Sequence, residues 1–169
     1  MTTALKTKRI IVCDDDEDLV DFLAFMLRTN DYDVRVAGSY EEVMKLVENY
    51  EPDLLLLDIR MPEFDGFNVA ETLRKQKSTF PIVFMTGNDN TFCRLYATTL
   101  DAAGYLKKPF EAEDVLEIVE KGGGDDRRVR CNEHGGAADA FRRAVPGLQE
   151  LTHRHGVAVE LGQQDFAAA

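Results

Sequence analysis

Long apolar runs, paired cysteines and an excess of basic residues are all missing from this 169-residue chain, and each absence removes a class of function. Lys6, Lys8 and Arg9 lead into only four apolar residues, Ile10 to Cys13, too few for the core of a secretion signal or for a membrane span. A cytoplasmic chain without membrane association is expected. Cys13, Cys93 and Cys131 are odd in number, far apart and form no Cys-x-x-Cys, so they read as reduced packing residues, not as a disulfide framework or a zinc site. Residues 1–120 hold 13 Lys and Arg against 24 Asp and Glu, whereas residues 121–169 hold 7 against 7, so the net charge of −11 belongs entirely to the first part. An acidic body with a neutral tail lacks the clustered cations that neutralise phosphates, which disfavours nucleic acid as a partner.

What remains is a globular composition, 44% hydrophobic and 30% charged, in a chain long enough for one ordinary domain and a small appendage. The stretch from Asp53 to Gly66 organises it. Four consecutive leucines, Leu54 to Leu57, read as a strand buried on both faces, as the inner strand of a parallel sheet must be. The run stops at Asp58. Met61-Pro62 and Asp65-Gly66 then force a loop, which places Asp58 at the carboxyl end of a central strand, where open α/β sheets bind their ligands.

Alternation continues on both sides. Residues 9–13 form a first strand ending in the acidic cluster Asp14 to Asp18, and Leu19, Phe22, Leu23, Met26 and Leu27 have the spacing of an amphipathic helix, capped by Asp16 or Asp15. Capping explains two or three of these acids, not five in a row. Residues 33–37 alternate as a strand, and Ser39-x-x-Glu42 is a capping box opening a helix with Val43, Leu46, Val47 and Tyr50 on one face, which Glu51-Pro52 ends. After Asp58 come a helix bearing Phe67, Ala70, Leu73 and Arg74, and a strand over 81–86 ending at Thr86-Gly87. A more polar helix follows from about Asn88 to Leu100, then a strand over 103–108, and after Pro109-Phe110 a helix carrying Val115, Leu116 and Val119. Five strands alternating with five helices imply βαβ units and a parallel sheet covered on both faces.

In such a sheet Asp14 and Asp15, Asp58, Thr86 and Gly87, and Lys108 meet at one edge. Three converging carboxylates repel one another and are tolerable around a hard cation; Mg²⁺, which keeps its waters and needs few carboxylates, suits an open acidic site better than Ca²⁺ or Zn²⁺. Lys108 supplies a mobile positive charge for a phosphate oxygen, and the Thr86 hydroxyl and Gly87 N–H can serve another. Asp58 is either a metal ligand only or a nucleophile forming an acyl phosphate, and its central place favours the second.

Asp14-Asp15 after the first strand, Asp58 with Met61-Pro62 and Asp65-Gly66, Thr86-Gly87, and Tyr105 with Lys108-Pro109-Phe110 together resemble the receiver domain of two-component response regulators, over residues 8–120. The resemblance implies a CheY-like, flavodoxin-like α/β fold, a doubly wound five-stranded parallel sheet in the order 2-1-3-4-5. It implies that Asp58 accepts a phosphoryl group from a sensor histidine kinase or phosphotransfer protein. Asp15, Asp58 and the backbone carbonyl of Arg60 would bind Mg²⁺, with Asp14 acting through water. Lys108 would pair with the phosphoryl group and precede a cis Pro109; Lys107, by strand alternation, would face elsewhere. Thr86 and Tyr105 resemble the switch pair: the hydroxyl moves toward the phosphoryl oxygen and the ring turns inward behind it, remodelling the face of the fourth helix, fifth strand and fifth helix. Arg60 and Asn88 occupy positions that tune the lifetime of the acyl phosphate.

The organisation expected is a receiver over 1–121, a glycine-rich linker over 122–127, a small α+β element of two short strands and a helix over 128–162, and a disordered tail over 163–169. The strands are read at 127–131 and 156–161, with a helix between them interrupted near Pro146-Gly147. So small an element is expected to pack on the receiver or on a second chain, which allows a homodimer. Arg127, Arg128 and Arg130 read as a solvated face, and His134, His153 and His155 as exposed tail residues. The expected output is phosphorylation-dependent binding to a downstream protein or dimerisation, without catalysis beyond the chain's own phosphorylation and dephosphorylation. One alternative is a transcriptional regulator whose C-terminal element binds DNA. Another is an aspartyl-phosphate phosphohydrolase, although such enzymes place a second Asp two residues after the nucleophile, where this chain has Arg60.

Overall fold

The computed structural model describes residues 7–122 and 130–131. Its elements run β1 (Arg9–Cys13), α1 (Glu17–Thr29), β2 (Asp33–Ala37), α2 (Tyr40–Tyr50), β3 (Leu54–Asp58), α3 (Gly66–Lys75), β4 (Ile82–Thr86), α4 (Thr91–Thr99), β5 (Gly104–Lys107), α5 (Ala112–Lys121) and β6 (Arg130–Cys131). All strand pairs are parallel, in the order β2-β1-β3-β4-β5-β6. The first five strands have the expected order and lie within a residue of their expected bounds. β6 is the described part of the strand expected at 127–131, and it joins the receiver's own sheet beside Gly104 and Tyr105. The rest of the expected linker, small element and tail lies outside the described residues, as do the three histidines.

Strand alternation divides the core into two layers. Leu54 and Leu56 face α1 and α5 together with Ile10, Val12, Val83, Met85 and Leu106. Leu55 and Leu57 face the opposite side with Ile11, Cys13, Phe84 and Tyr105, under α2, α3 and α4. Each of the four leucines is fully buried, and each stabilises the fold by about 1.5–3 kcal/mol relative to exposure.

Helix ends follow local chemistry. Asp16 caps α1 by accepting from the Leu19 N–H at 3.1 Å. Ser39 caps α2 in the same way from Glu42, whereas the Glu42 carboxylate reaches back to the Gly38 N–H at 2.8 Å, one residue before the expected capping-box partner. α4 starts three residues later than expected, because Asn90 is its cap, accepting from the Cys93 N–H at 2.9 Å and leaving 87–90 as a loop. At the far end of α3 and α4 the Arg74 guanidinium donates to the carbonyls of Ser78, Phe80, Leu100 and Asp101, which ties both helix ends to the following strands.

α1 is rotated from the expected stripe. Val20, Leu23, Ala24, Met26 and Leu27 are buried, while Phe22 and Phe25 are 48% and 70% exposed. The helix is apolar around most of its circumference, so two adjacent stripes satisfy the same spacing, and packing against the sheet selects one of them.

Candidate functional site

Three parallel strands deliver the site residues to one edge. β1 ends immediately before Asp14, β3 ends at Asp58, and β4 ends at Thr86, whose carbonyl accepts from the Lys108 N–H at 2.8 Å as β5 ends. The Lys108–Pro109 peptide is cis, as the resemblance implied. The loop after β3 is pinned by Asp65, which pairs back to Arg60 and caps α3 by accepting from the Phe67 N–H at 2.8 Å. Gly66 is needed there for space: a Cβ would lie 2.0 Å from the carbonyl oxygen of Asp58.

Asp14 and Asp58 are almost completely buried, and the Lys108 ammonium bridges them, 2.6 Å from Asp14 Oδ2 and 2.7 Å from Asp58 Oδ1. Asp15 is exposed at the rim, and ligand oxygens of the three carboxylates lie within 4.8 Å of one another. Burial pushes the Asp58 carboxyl up to about 6; the neighbouring Asp14 charge adds to the rise, while Lys108 and a hydrogen bond from the Arg60 backbone oppose it. For Lys108 burial works against the ammonium, but hydrogen bonds and attraction to both carboxylates outweigh it and raise its pKa. Cys13, although next to Asp14, is no thiolate donor: burial and the adjacent carboxylates push its thiol up to about 12, and its Sγ rests 3.7 Å from Met61 Sδ. The donors are therefore all oxygen, buried on one side and open on the other, which fits a hard divalent cation.

Lys107 is exposed and on the other side of β5, so the choice between the adjacent lysines is resolved by geometry in favour of Lys108. Thr86 is buried and its Oγ1 accepts from the Asn88 N–H at 3.1 Å. Gly87 and Asn88 are exposed at the rim, and a Cβ at Gly87 would meet nothing within 4 Å. Arg60 is also exposed beside Asp58.

Tyr105 is fully buried in the layer under α4. Against it stands a residue that the sequence reading passed over: the Arg94 guanidinium carbon lies 5.3 Å from the Tyr105 ring centroid, and Asp89 holds that guanidinium through both carboxylate oxygens. Spacing alone carried no signal for this pair, since a loop residue and a first-turn helix residue share no period.

Residues 10–120 match the family model of the response regulator receiver domain. The chain belongs to that family. The alkaline phosphatase synthesis transcriptional regulatory protein PhoP of Bacillus subtilis (strain 168) is 40% identical over 108 residues, covering 64% of this chain and 45% of PhoP, so the chain matches less than half the length of that relative. The non-phosphorylated HemR receiver domain from Leptospira biflexa superposes with a TM-score of 0.66 at 31% identity, covering 70% of this chain and 95% of that one. The chemotaxis response regulator CheY4 of Vibrio cholerae, at 22% identity and a TM-score of 0.64 over 69% of this chain and 98% of its own, shares the fold. Among the described residues of the chain no helix is long and apolar enough to cross a membrane.

Proposed function

We propose that this receiver takes a phosphoryl group on Asp58 from a phosphohistidine of a sensor kinase or phosphotransfer protein, and signals by altering protein–protein contacts at α4, β5 and α5. The observation that carries the reading is the buried Asp14–Lys108–Asp58 arrangement at the carboxyl ends of β1, β3 and β5, with Asp15 open beside it. In the transfer an Asp58 oxygen attacks phosphorus, the histidine N–P bond breaks, and the electron pair leaves with the imidazole nitrogen. Lys108, already at Asp58, offers its ammonium to the charge on the phosphoryl oxygens, while the Gly87 N–H and the Thr86 hydroxyl are close enough in sequence and fold to serve the same group. Asp15, Asp58 and the Arg60 carbonyl would hold Mg²⁺, with Asp14 reached through water; the ion would offset the carboxylate repulsion and neutralise phosphoryl charge. Arg60 and Asn88, exposed on either side, are placed to control water access and so the lifetime of the acyl phosphate. No turnover of external phosphate esters is proposed, because Arg60 stands where a general acid would be needed.

The test is labelling by acetyl phosphate or a kinase. Wild type labels with Mg²⁺ and not with EDTA, and Asp58→Asn does not label; a label that survives Asp58→Asn would overturn the assignment. A transcriptional role is the second reading, favoured by the name of the Bacillus relative. It requires salt-dependent DNA binding by the full chain that increases with beryllofluoride, an acyl-phosphate mimic.

A further inference from the structure

The sixth strand enters the sheet by an exceptional path. β2-α2-β3, β3-α3-β4 and β4-α4-β5 advance across the sheet toward β6, and their helices pack in the layer of Leu55 and Leu57. β1-α1-β2 advances the other way, with its helix in the layer of Leu54 and Leu56. Reversing both direction and face leaves the hand of a crossover unchanged, so these four share one hand. β5-α5-β6 reverses only the face: it advances as β4-α4-β5 does, yet α5 packs through Val115, Ile118 and Val119 in the layer of Leu54 and Leu56. Its hand is therefore opposite to theirs. Right-twisted strands make about 98% of parallel crossovers right-handed, which assigns the four to the ordinary hand and β5-α5-β6 to the left-handed exception.

α5 cannot change sides to relieve this. Its end is fastened under the middle of the sheet: a Cβ at Gly122 would lie 2.8 Å from Leu54 Cδ1 on β3, and Lys8, just before β1, donates from Nζ to the carbonyls of Val119 and Glu120 at 3.1 and 3.2 Å. The strand itself suits the β5 edge. Arg130 and Cys131 fall in parallel register with Gly104 and Tyr105, and without them β5 would be the edge strand, a template for a further strand. A strand supplied by a second copy meets the same edge with no crossover inside one chain, so the rule of hand does not apply to it. The tether permits this. Three strand spacings, about 14 Å, separate β3 from the position of β6, whereas the residues 123–129 span up to roughly 25 Å.

We propose that the β5 edge takes the Arg130–Cys131 strand of a second copy of this chain, so that two chains exchange strands reciprocally about a two-fold axis. Each chain donates one strand and accepts one, and recognition is by backbone pairing in the parallel register of β5 and β6. The exchange keeps that register and removes the left-handed connection. It uses neither Asp58 nor a phosphoryl group, and stands independently of the function proposed above.

The test is sedimentation equilibrium of the full chain under reducing conditions, over a concentration series, joined to isotope-mixed cross-linking. Wild type is a dimer at high micromolar concentration and dissociates on dilution. Cys131→Pro removes the strand N–H at the position paired with Tyr105 and weakens the dimer by roughly tenfold, the worth of about one ladder hydrogen bond, with the circular dichroism of the receiver unchanged. An equal mixture of ¹⁴N- and ¹⁵N-labelled chains, unfolded and refolded together, is then coupled with a zero-length carbodiimide. Peptides joining Lys107 on β5 to Asp125, Asp126 or Glu133, the acids that flank Arg130 and Cys131 in sequence, are read by mass spectrometry. Exchange makes half of these links join a light chain to a heavy one. Links confined to single-isotope pairs would leave β6 on its own receiver, left-handed crossover included, and overturn the proposal. So would a monomer at every concentration, or a dimer that Cys131→Pro leaves at full strength. If no such link forms, the effect of Cys131→Pro on the dimer decides alone.

Discussion

Asp58 is held by two close constraints, and each is separately testable. Lys108 neutralises it, so Lys108→Ala strands two buried carboxylates without a counter-charge. The expected outcome is loss of most acetyl-phosphate labelling, whereas Lys107→Ala, on the opposite side of β5, leaves labelling close to wild type. Gly66 sets the backbone: a methyl group 2.0 Å from the Asp58 carbonyl oxygen cannot be absorbed by a flexible side chain. Gly66→Ala should cost about 1–3 kcal/mol in denaturant unfolding, the usual penalty of overpacking, and should reduce labelling beyond what the stability loss explains. Gly87→Ala should do neither, because that position is open and its proposed role uses only the backbone N–H. The Asp89–Arg94 pair adds a pH signature. The hydrogen bonds from Arg94 chiefly hold the Asp89 carboxyl below its ordinary value of 3.8, with burial opposing them. A depressed folded pKa contributes stability that is present above the unfolded value and lost as pH falls through the folded one. The destabilisation caused by Arg94→Met should therefore persist from neutral pH to about pH 5 and shrink only in stronger acid, measured by urea unfolding across that range.

At the scale of elements, the turns that connect helix to strand are built from residues in an uncomfortable conformation. Asp31, Glu51, Lys77 and Asp101 have φ of 64°, 47°, 63° and 54°, each following a helix where the chain reverses into the next strand. Lys77 has neither the short polar side chain that eases this region nor a glycine's freedom, so Lys77→Gly should stabilise the fold by about 0.5–1 kcal/mol, read as a raised urea midpoint at unchanged slope. The strands were legible in the sequence because four of them are short apolar runs ending in a polar residue that belongs to the site, and the pattern has few alternatives. Helix faces were less so. The α1 residues satisfy two stripes at once, and only docking onto the sheet exposes Phe22 and Phe25. The start of α4 was misplaced because Asn88 and Asn90 are equally suitable caps by chemistry, and the choice follows from how the loop leaves β4. Asp58, Asp14 and Lys108 were readable because strand ends in a parallel sheet share one edge. The Arg94 contact to Tyr105 was not, since it depends on side-chain direction across α4 and β5.

For the whole molecule, the sheet extends beyond the five strands of the receiver. β6 pairs with β5 at Gly104 and Tyr105, so Arg130 and Cys131 lie at the β5 edge of the sheet. Size-exclusion chromatography with light scattering, on the full chain and on residues 1–121, each with and without Mg²⁺ and beryllofluoride, separates two outputs. A change of association state in the full chain alone makes the segment after α5 the output element; no change in either leaves the α4–β5–α5 surface to be read by another protein.

The central claim is that one carboxylate, Asp58, carries the signal. The most direct measurement is phosphorylation of the full chain with acetyl phosphate and Mg²⁺, reduction of the acyl phosphate with borohydride, and peptide mass spectrometry to locate the converted residue. The account predicts conversion at Asp58 alone, abolished by EDTA. Conversion at Asp14 or Asp15 with Asp58 untouched would contradict it.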